Sequence, residues 1–128
     1  MSWTPIVISL GAVVGALGRY YASLFWASRG ATTFPYGTLF VNLTGALAIG
    51  FWGAAIAPLS TLPAQTHNLL VVGVLGAYTT FSTYTLEASS LLNTRPRFLG
   101  MLYWLGSPVA GLACVGLGQW LGQAMIRL

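Results

Sequence analysis

The stretch Gly73-Val74-Leu75-Gly76-Ala77-Tyr78-Thr79-Thr80-Phe81-Ser82-Thr83-Tyr84-Thr85 decides how this chain folds. It lies in the middle of an apolar segment running from about Leu69 to Leu92. A membrane-spanning helix needs about 20 such residues. Five of the last seven residues of the stretch are Ser or Thr, and Tyr84 adds a further hydroxyl. An isolated Ser or Thr bonds back to the preceding helical turn. A run this dense beside Gly73 and Gly76 predicts a helix broken in mid-membrane. A break frees backbone carbonyls and amides, which are tolerated at that depth only when buried in protein or lining a cavity. In broken membrane helices, freed carbonyls bind cations.

The remainder of the chain agrees with a membrane setting. Of 128 residues, 56% are hydrophobic and 5% charged, with a formal charge of +4. Soluble domains carry about 25% charged residues. Mean hydropathy is +0.78. Five arginines, one glutamate and no lysine cannot solvate a wetted surface of this size, which excludes a soluble enzyme or a disordered tail. Nucleic-acid binding needs clustered cations and aromatics on a wetted face, and here the arginines are scattered. A membrane barrel would alternate apolar and polar residues, whereas these apolar runs are continuous. Met1-Ser2-Trp3-Thr4-Pro5 has no basic region, so no cleavable signal peptide is expected. Cys114, the one cysteine, makes no internal disulfide and reads as a small packing residue.

Polar and Pro-containing interruptions divide the chain into four spans: about Pro5 to Ala27, Tyr36 to Ala57, Leu69 to Leu92, and Phe98 to Ile126. Residues 1–128 then form a single all-α, multi-pass transmembrane domain. Both termini fall on one side, with Arg127. Arg29, Arg95 and Arg97 fall on the other, and Arg19 is counted toward the terminal side. The resulting bias of three against two is weak under the positive-inside rule, a hint of insertion in both orientations. Small residues four apart, Gly11 and Gly15, Ala46 and Gly50, and Gly118 and Gly122, predict close helix contacts.

Ionisable groups inside a span are costly and therefore functional candidates. Arg19 reads either as an arginine snorkelling to the interface or as a cation concentrating anions at a vestibule. Glu87 reads as a hydrogen-bonded structural carboxylate or as a proton or cation site. His67 falls in the connection before the third span, and one histidine with one cysteine makes no metal site. Asn42 must find partners, either across helices or as a pore-lining donor. Phe81 and Tyr84, three apart, share a helix face. They are either packing or rings whose positive edges meet an anion. The donors Asn42, Thr79, Thr80, Ser82, Thr83, Thr85, Tyr103 and Ser107, set against a single acid, suit a small anion better than a metal cation. Four helices enclose little space, so an oligomer with paths at its interfaces is expected.

The motifs resemble one family. Gly-x-x-x-Gly-x-x-x-Arg ending at Arg19, Gly37-Thr38-Leu39-x-Val41-Asn42-x-x-Gly45, and Gly76-x-x-Thr79-Thr80-Phe81-Ser82-Thr83-Tyr84 look like those of the Fluc (CrcB-like) fluoride channels, in the right order from about Gly11 to Gly118. The resemblance implies an antiparallel, dual-topology homodimer with two fluoride pores in the lipid bilayer of the bacterial inner membrane. It implies passive export of fluoride, no enzymatic activity, no organic cofactor and no nucleic-acid partner. It implies a structural Na+ at the dimer centre, held by the backbone carbonyls of Gly76 and Thr79 from both subunits. It assigns fluoride permeation to Asn42, Phe81, Ser82, Thr83, Tyr84, Tyr103 and Ser107, and places Arg19 at the vestibule. The chain departs from the family pattern at Ala77 and Tyr78, where Gly-Leu is usual, at Tyr84 in place of Phe, and at Gly111 in place of Ser. A Tyr84 hydroxyl either donates to the anion or turns the ring away.

Two other classes compete. A proton-coupled multidrug exporter resembles this chain in size and span number but carries its glutamate in the first span, where this chain has Arg19. A non-transporting assembly subunit would use Asn42 and Glu87 as interhelical glue.

Overall fold

Proline sets where the helices begin. It lacks an N–H, and the N–H groups of a first helical turn have no helical partner anyway. Pro5 sits in the first turn of α1 (Thr4–Ala27). Pro35 immediately precedes α2, which runs over Tyr36–Phe51 and continues through the wider π turn Trp52–Ile56. Pro63 precedes α3 (residues 64–78), whose middle part, Asn68–Leu75, is also π-wound. Pro96 precedes α5 (Arg97–Ile126). Between them, α4 (Phe81–Asn93) starts from a side-chain cap, the Thr80 hydroxyl accepting the Thr83 N–H at 3.2 Å. This architecture comes from a computed structural model that describes residues 3–30, 34–58, 62–94 and 96–127. Part of the first connection and Arg95 lie outside the described residues.

Four stretches are long and apolar enough to cross a membrane: Thr4–Ala27, Tyr36–Ile56, Ala64–Asn93 and Arg97–Ile126. No strand occurs among the described residues. The third stretch begins earlier than the sequence reading places it. Pro63, extended at φ −59° and ψ 142°, starts the helix at Ala64, so His67 lies in a helical turn and not in a connection. Within this stretch, Thr79 (φ −81°, ψ 158°) and Thr80 (φ −149°, ψ 118°) are extended and separate α3 from α4.

Small residues bring the helices together. A Cβ on Gly15 of α1 would lie 2.1 Å from the Val74 carbonyl oxygen of α3, and one on Gly11 would lie 2.2 Å from that of Leu69. On the other side, a Cβ on Gly50 of α2 would meet the Val115 oxygen of α5 at 2.2 Å, and one on Gly118 the Leu47 oxygen at 2.2 Å. The backbones therefore approach at distances only glycine permits, as in membrane helix pairs. Of the six small residues paired in the sequence, five make such contacts: Gly11, Gly15, Gly50, Gly118 and Gly122. The most extensive packing is α2 on α5 and α1 on α3. α4 joins α5 through a core of Tyr84, Ala88, Leu91 and Tyr103, flanked by Phe34 and Leu39. The outer faces are apolar: Leu10, Val13, Val14 and Leu17 of α1 are all at least half exposed. Water would make that arrangement costly and hydrocarbon does not.

Candidate functional site

The extended pair Thr79–Thr80 is the focus of the polar side chains. Its backbone has left the helical ladder and needs other partners. Asn42, from the middle of α2, supplies them to Thr80. Its Oδ1 accepts the Thr80 N–H at 2.8 Å, and its Nδ2 donates to the Thr80 carbonyl at 2.9 Å. One side-chain amide thus does what a neighbouring strand would do. Two of its four hydrogen-bonding positions are used, so an N–H and a lone pair remain. The interhelical reading of Asn42 is therefore present in the geometry, and it leaves a donor over.

Because the Thr80 N–H bonds to Asn42, the Gly76 carbonyl, its partner in a continuous helix, is released. The Thr79 carbonyl accepts a bond from Arg19 Nη1 at 3.4 Å. Arg19 is thus held inside the protein, and the sequence count that sent it to the terminal side is corrected. The arginine bias becomes Arg29, Arg95 and Arg97 against Arg127. The Thr79 hydroxyl bonds back to the Leu75 carbonyl at 3.0 Å, and its methyl fills the space over Gly45, where a Cβ would come within 2.2 Å. Tyr78, one of the departures, shares a 3.0 Å hydrogen bond with Thr44 of α2.

At the start of α4, Thr80 Oγ1 donates to Thr83 Oγ1 at 3.0 Å, and Ser82 lies exposed, 3.4 Å from the same Thr80 oxygen. Phe81 is 77% exposed, whereas Tyr84, one turn on, is 5% exposed. Their ring centroids are 5.6 Å apart. The Tyr84 hydroxyl donates to the Trp104 carbonyl of α5. Ser107 spends its hydroxyl on the Tyr103 carbonyl, 2.6 Å away.

A second constellation surrounds Glu87, the one acid of the chain. Thr38 of α2 donates to Oε1 at 2.8 Å, and the fully buried Tyr103 of α5 donates to Oε2 at 2.9 Å. Both carboxyl oxygens are thereby satisfied by neutral hydroxyls. Sequence reasoning missed this grouping. Its partners are 49 and 16 residues from Glu87 along the chain, beyond any helical period. The only available signal was the requirement that a lone intramembrane acid find donors.

Three cavities lie side by side here. The first, about 470 Å³, is lined by Trp26, Tyr36, Thr38, Thr83 and Glu87. The second, about 350 Å³, shares Ser23, Thr38 and Thr83 with it and adds Arg19 and Thr80. The third, about 400 Å³, shares Thr80 and adds Asn42, Phe81, Tyr84, Ser107 and Gly111. Of the residues singled out from sequence, Asn42, Thr79, Phe81, Tyr84 and Ser107 meet at the third cavity, and Thr83 and Arg19 at the second. Ser82 lines none of the three and Tyr103 lies beneath the first, bonded to Glu87.

Fold and site together define a small multi-pass membrane protein whose helices border open cavities at which an amide and several hydroxyls meet. The chain belongs to the CrcB-like family: residues 6–119 match the family model described as CrcB-like protein, Camphor Resistance (CrcB). It is 49% identical over 120 residues to the fluoride-specific ion channel FluC of Trichormus variabilis, covering 93% of this chain and 88% of that protein. Proteins of the same name from Synechocystis and Aquifex aeolicus are 40% and 37% identical, each aligned over more than nine-tenths of both chains.

Proposed function

We propose that this chain is a fluoride-specific ion channel that passively exports F− from the cytoplasm across the bacterial inner membrane. The observation that carries the ion's identity is the likeness, over nearly the whole chain, to proteins named for fluoride conduction. The geometry supports it with neutral donors set along adjoining cavities. Fluoride is small and strongly hydrated, so a path must replace water with close donors. The spare Asn42 N–H, the Thr83 hydroxyl and the ring edges of Phe81 and Tyr84 are such donors, with the exposed Ser82 hydroxyl beside Thr80 outside these cavities. Arg19, beside the second cavity, supplies positive potential near the path. An inside-negative potential drives the anion outward, contributing about 2.3 kcal/mol per charge per 100 mV. No coupling to another reaction is required.

The working unit in this reading is an antiparallel homodimer in dual topology with two pores. Support comes from the face around α4. Phe81 is 77% exposed at the third cavity, which Asn42 and Thr80 also line, and a Cβ on Gly76 would meet only one atom, at 3.8 Å. A second copy laid on this face would cover the exposed ring and complete the path. A structural Na+ at the centre fits the oxygens present. The Gly76 carbonyl is free of the helical ladder, and the Thr79 carbonyl keeps one lone pair beyond its long bond to Arg19. Unwound backbone carbonyls of this kind suit Na+. These two carbonyls would hold the ion, which would neutralise carbonyl dipoles at the dimer centre.

The test is fluoride release from liposomes reconstituted with the purified protein, started by a potassium ionophore and read with a fluoride electrode. Rapid, ionophore-dependent release of fluoride but not chloride, lost in a folded Asn42→Asp dimer, is the expected result. No release from folded dimer refutes the reading in favour of a non-transporting subunit. Release that requires a proton gradient points to a coupled exporter.

A further inference from the structure

A proline inside a helix offers no N–H to the carbonyl four residues back, and its ring crowds that carbonyl. In α5 the proline is Pro108 and the carbonyl is that of Trp104. In hydrocarbon such a freed carbonyl must be satisfied by a neighbour. The neighbour here is Tyr84 of α4, whose hydroxyl donates to the Trp104 oxygen. One helix thus supplies the donor that another lacks. A phenol carries a single proton, so a hydroxyl that donates to Trp104 has none for an anion. The ring is held as well, with the Tyr103 centroid at 5.3 Å and 54° and the Phe81 centroid at 5.6 Å and 45°. Tyr84 and Pro108 line the same cavity as Asn42 and Phe81.

We propose that Tyr84 is a positioning residue. Its hydroxyl caps the carbonyl that Pro108 leaves open, fixing the ring so that Tyr84 presents aromatic C–H, and not its O–H, to the anion. The consequence for conduction rests on the fluoride-channel reading; the hydrogen bond does not. The cap also accounts for how a proline is accommodated in the middle of the longest helix. The pairing makes residues 84 and 108 interdependent: Tyr84 is needed where Pro108 stands, and dispensable where residue 108 brings its own N–H.

The experiment compares the full-length wild-type protein with Tyr84→Phe, Pro108→Ala and the double variant, reading both unfolding in detergent and fluoride efflux from liposomes. Tyr84→Phe leaves a buried acceptor unsatisfied when Pro108 is present. It should shift the unfolding equilibrium about tenfold there and slow efflux. In the Pro108→Ala background, the restored N–H should cut the stability shift to about twofold or less and return efflux to the rate of Pro108→Ala alone. Equal stability losses in both backgrounds overturn the cap. Equal slowing of efflux in both, with the stability coupling intact, overturns the positioning role and makes the hydroxyl a direct donor to fluoride. If Tyr84→Phe alone fails to fold, recovery of folded protein on adding Pro108→Ala is the expected rescue, and its absence overturns the proposal. A wild-type protein that keeps the coupling but releases no fluoride upholds the cap while refuting the channel reading.

Discussion

Replacing Asn42 by alanine isolates the amide that holds Thr79–Thr80 in extended conformation. Two hydrogen bonds go, of 2.8 and 2.9 Å, both to the Thr80 backbone. Thr80 is 9% exposed, so little water reaches the groups left behind. Each unsatisfied group costs about 1–3 kcal/mol, and the pair about 2–6 kcal/mol. Whole-domain stabilities are about 5–15 kcal/mol, so the loss is a large share of the total. Asn42→Asp keeps the acceptor for the Thr80 N–H but sets a carboxylate oxygen where Nδ2 faced the Thr80 carbonyl. Its cost is at least that of one lost bond and one repulsive contact. Denaturant unfolding of the detergent-solubilised protein, followed by tryptophan fluorescence, reads both variants. If Asn42→Ala unfolds within about 0.5 kcal/mol of wild type, the size of a neutral surface substitution, Asn42 does not clamp Thr80. The comparison also bears on conduction, because flux lost in a destabilised Asn42→Asp protein does not by itself establish a pore donor.

Three other outcomes are expected. Gly50→Ala, whose Cβ would lie 2.2 Å from the Val115 oxygen, should destabilise by about 1–3 kcal/mol, whereas Gly111→Ala and Gly116→Ala, which face open space, should change unfolding little. Tyr103→Phe deletes the donor to Glu87 Oε2 and should cost about 1.5–3 kcal/mol. Adding Thr38→Val should give a non-additive loss, because both hydroxyls serve one carboxyl group; strict additivity in a double-mutant cycle would break the constellation apart. Reporter fusions at the C-terminus should find both orientations in the membrane if the antiparallel dimer is correct. With Arg29, Arg95 and Arg97 set against Arg127, a single orientation with the α1–α2 connection inside is the result that refutes it.

Much of this protein is legible without coordinates. Apolar runs too long and too continuous for a soluble domain identify membrane helices, since no other solvent tolerates them. Proline marks four helix starts because its missing N–H is harmless only there. Glycines four apart identify contact faces, and the Thr-rich stretch draws attention to Thr79 and Thr80. These are local signals, carried by neighbours along one helix. Pairings across helices are a different matter. Nothing in the order of residues says that Asn42 meets Thr80, that Arg19 turns inward to Thr79, that Thr38 and Tyr103 converge on Glu87, or that Tyr84 completes the backbone of a helix containing Pro108. Each residue type announced only that it needed a partner, because an unsatisfied polar group in hydrocarbon is costly. Which partner answered was decided by the angles and glycine-set distances at which the helices pack, and those exist only in three dimensions.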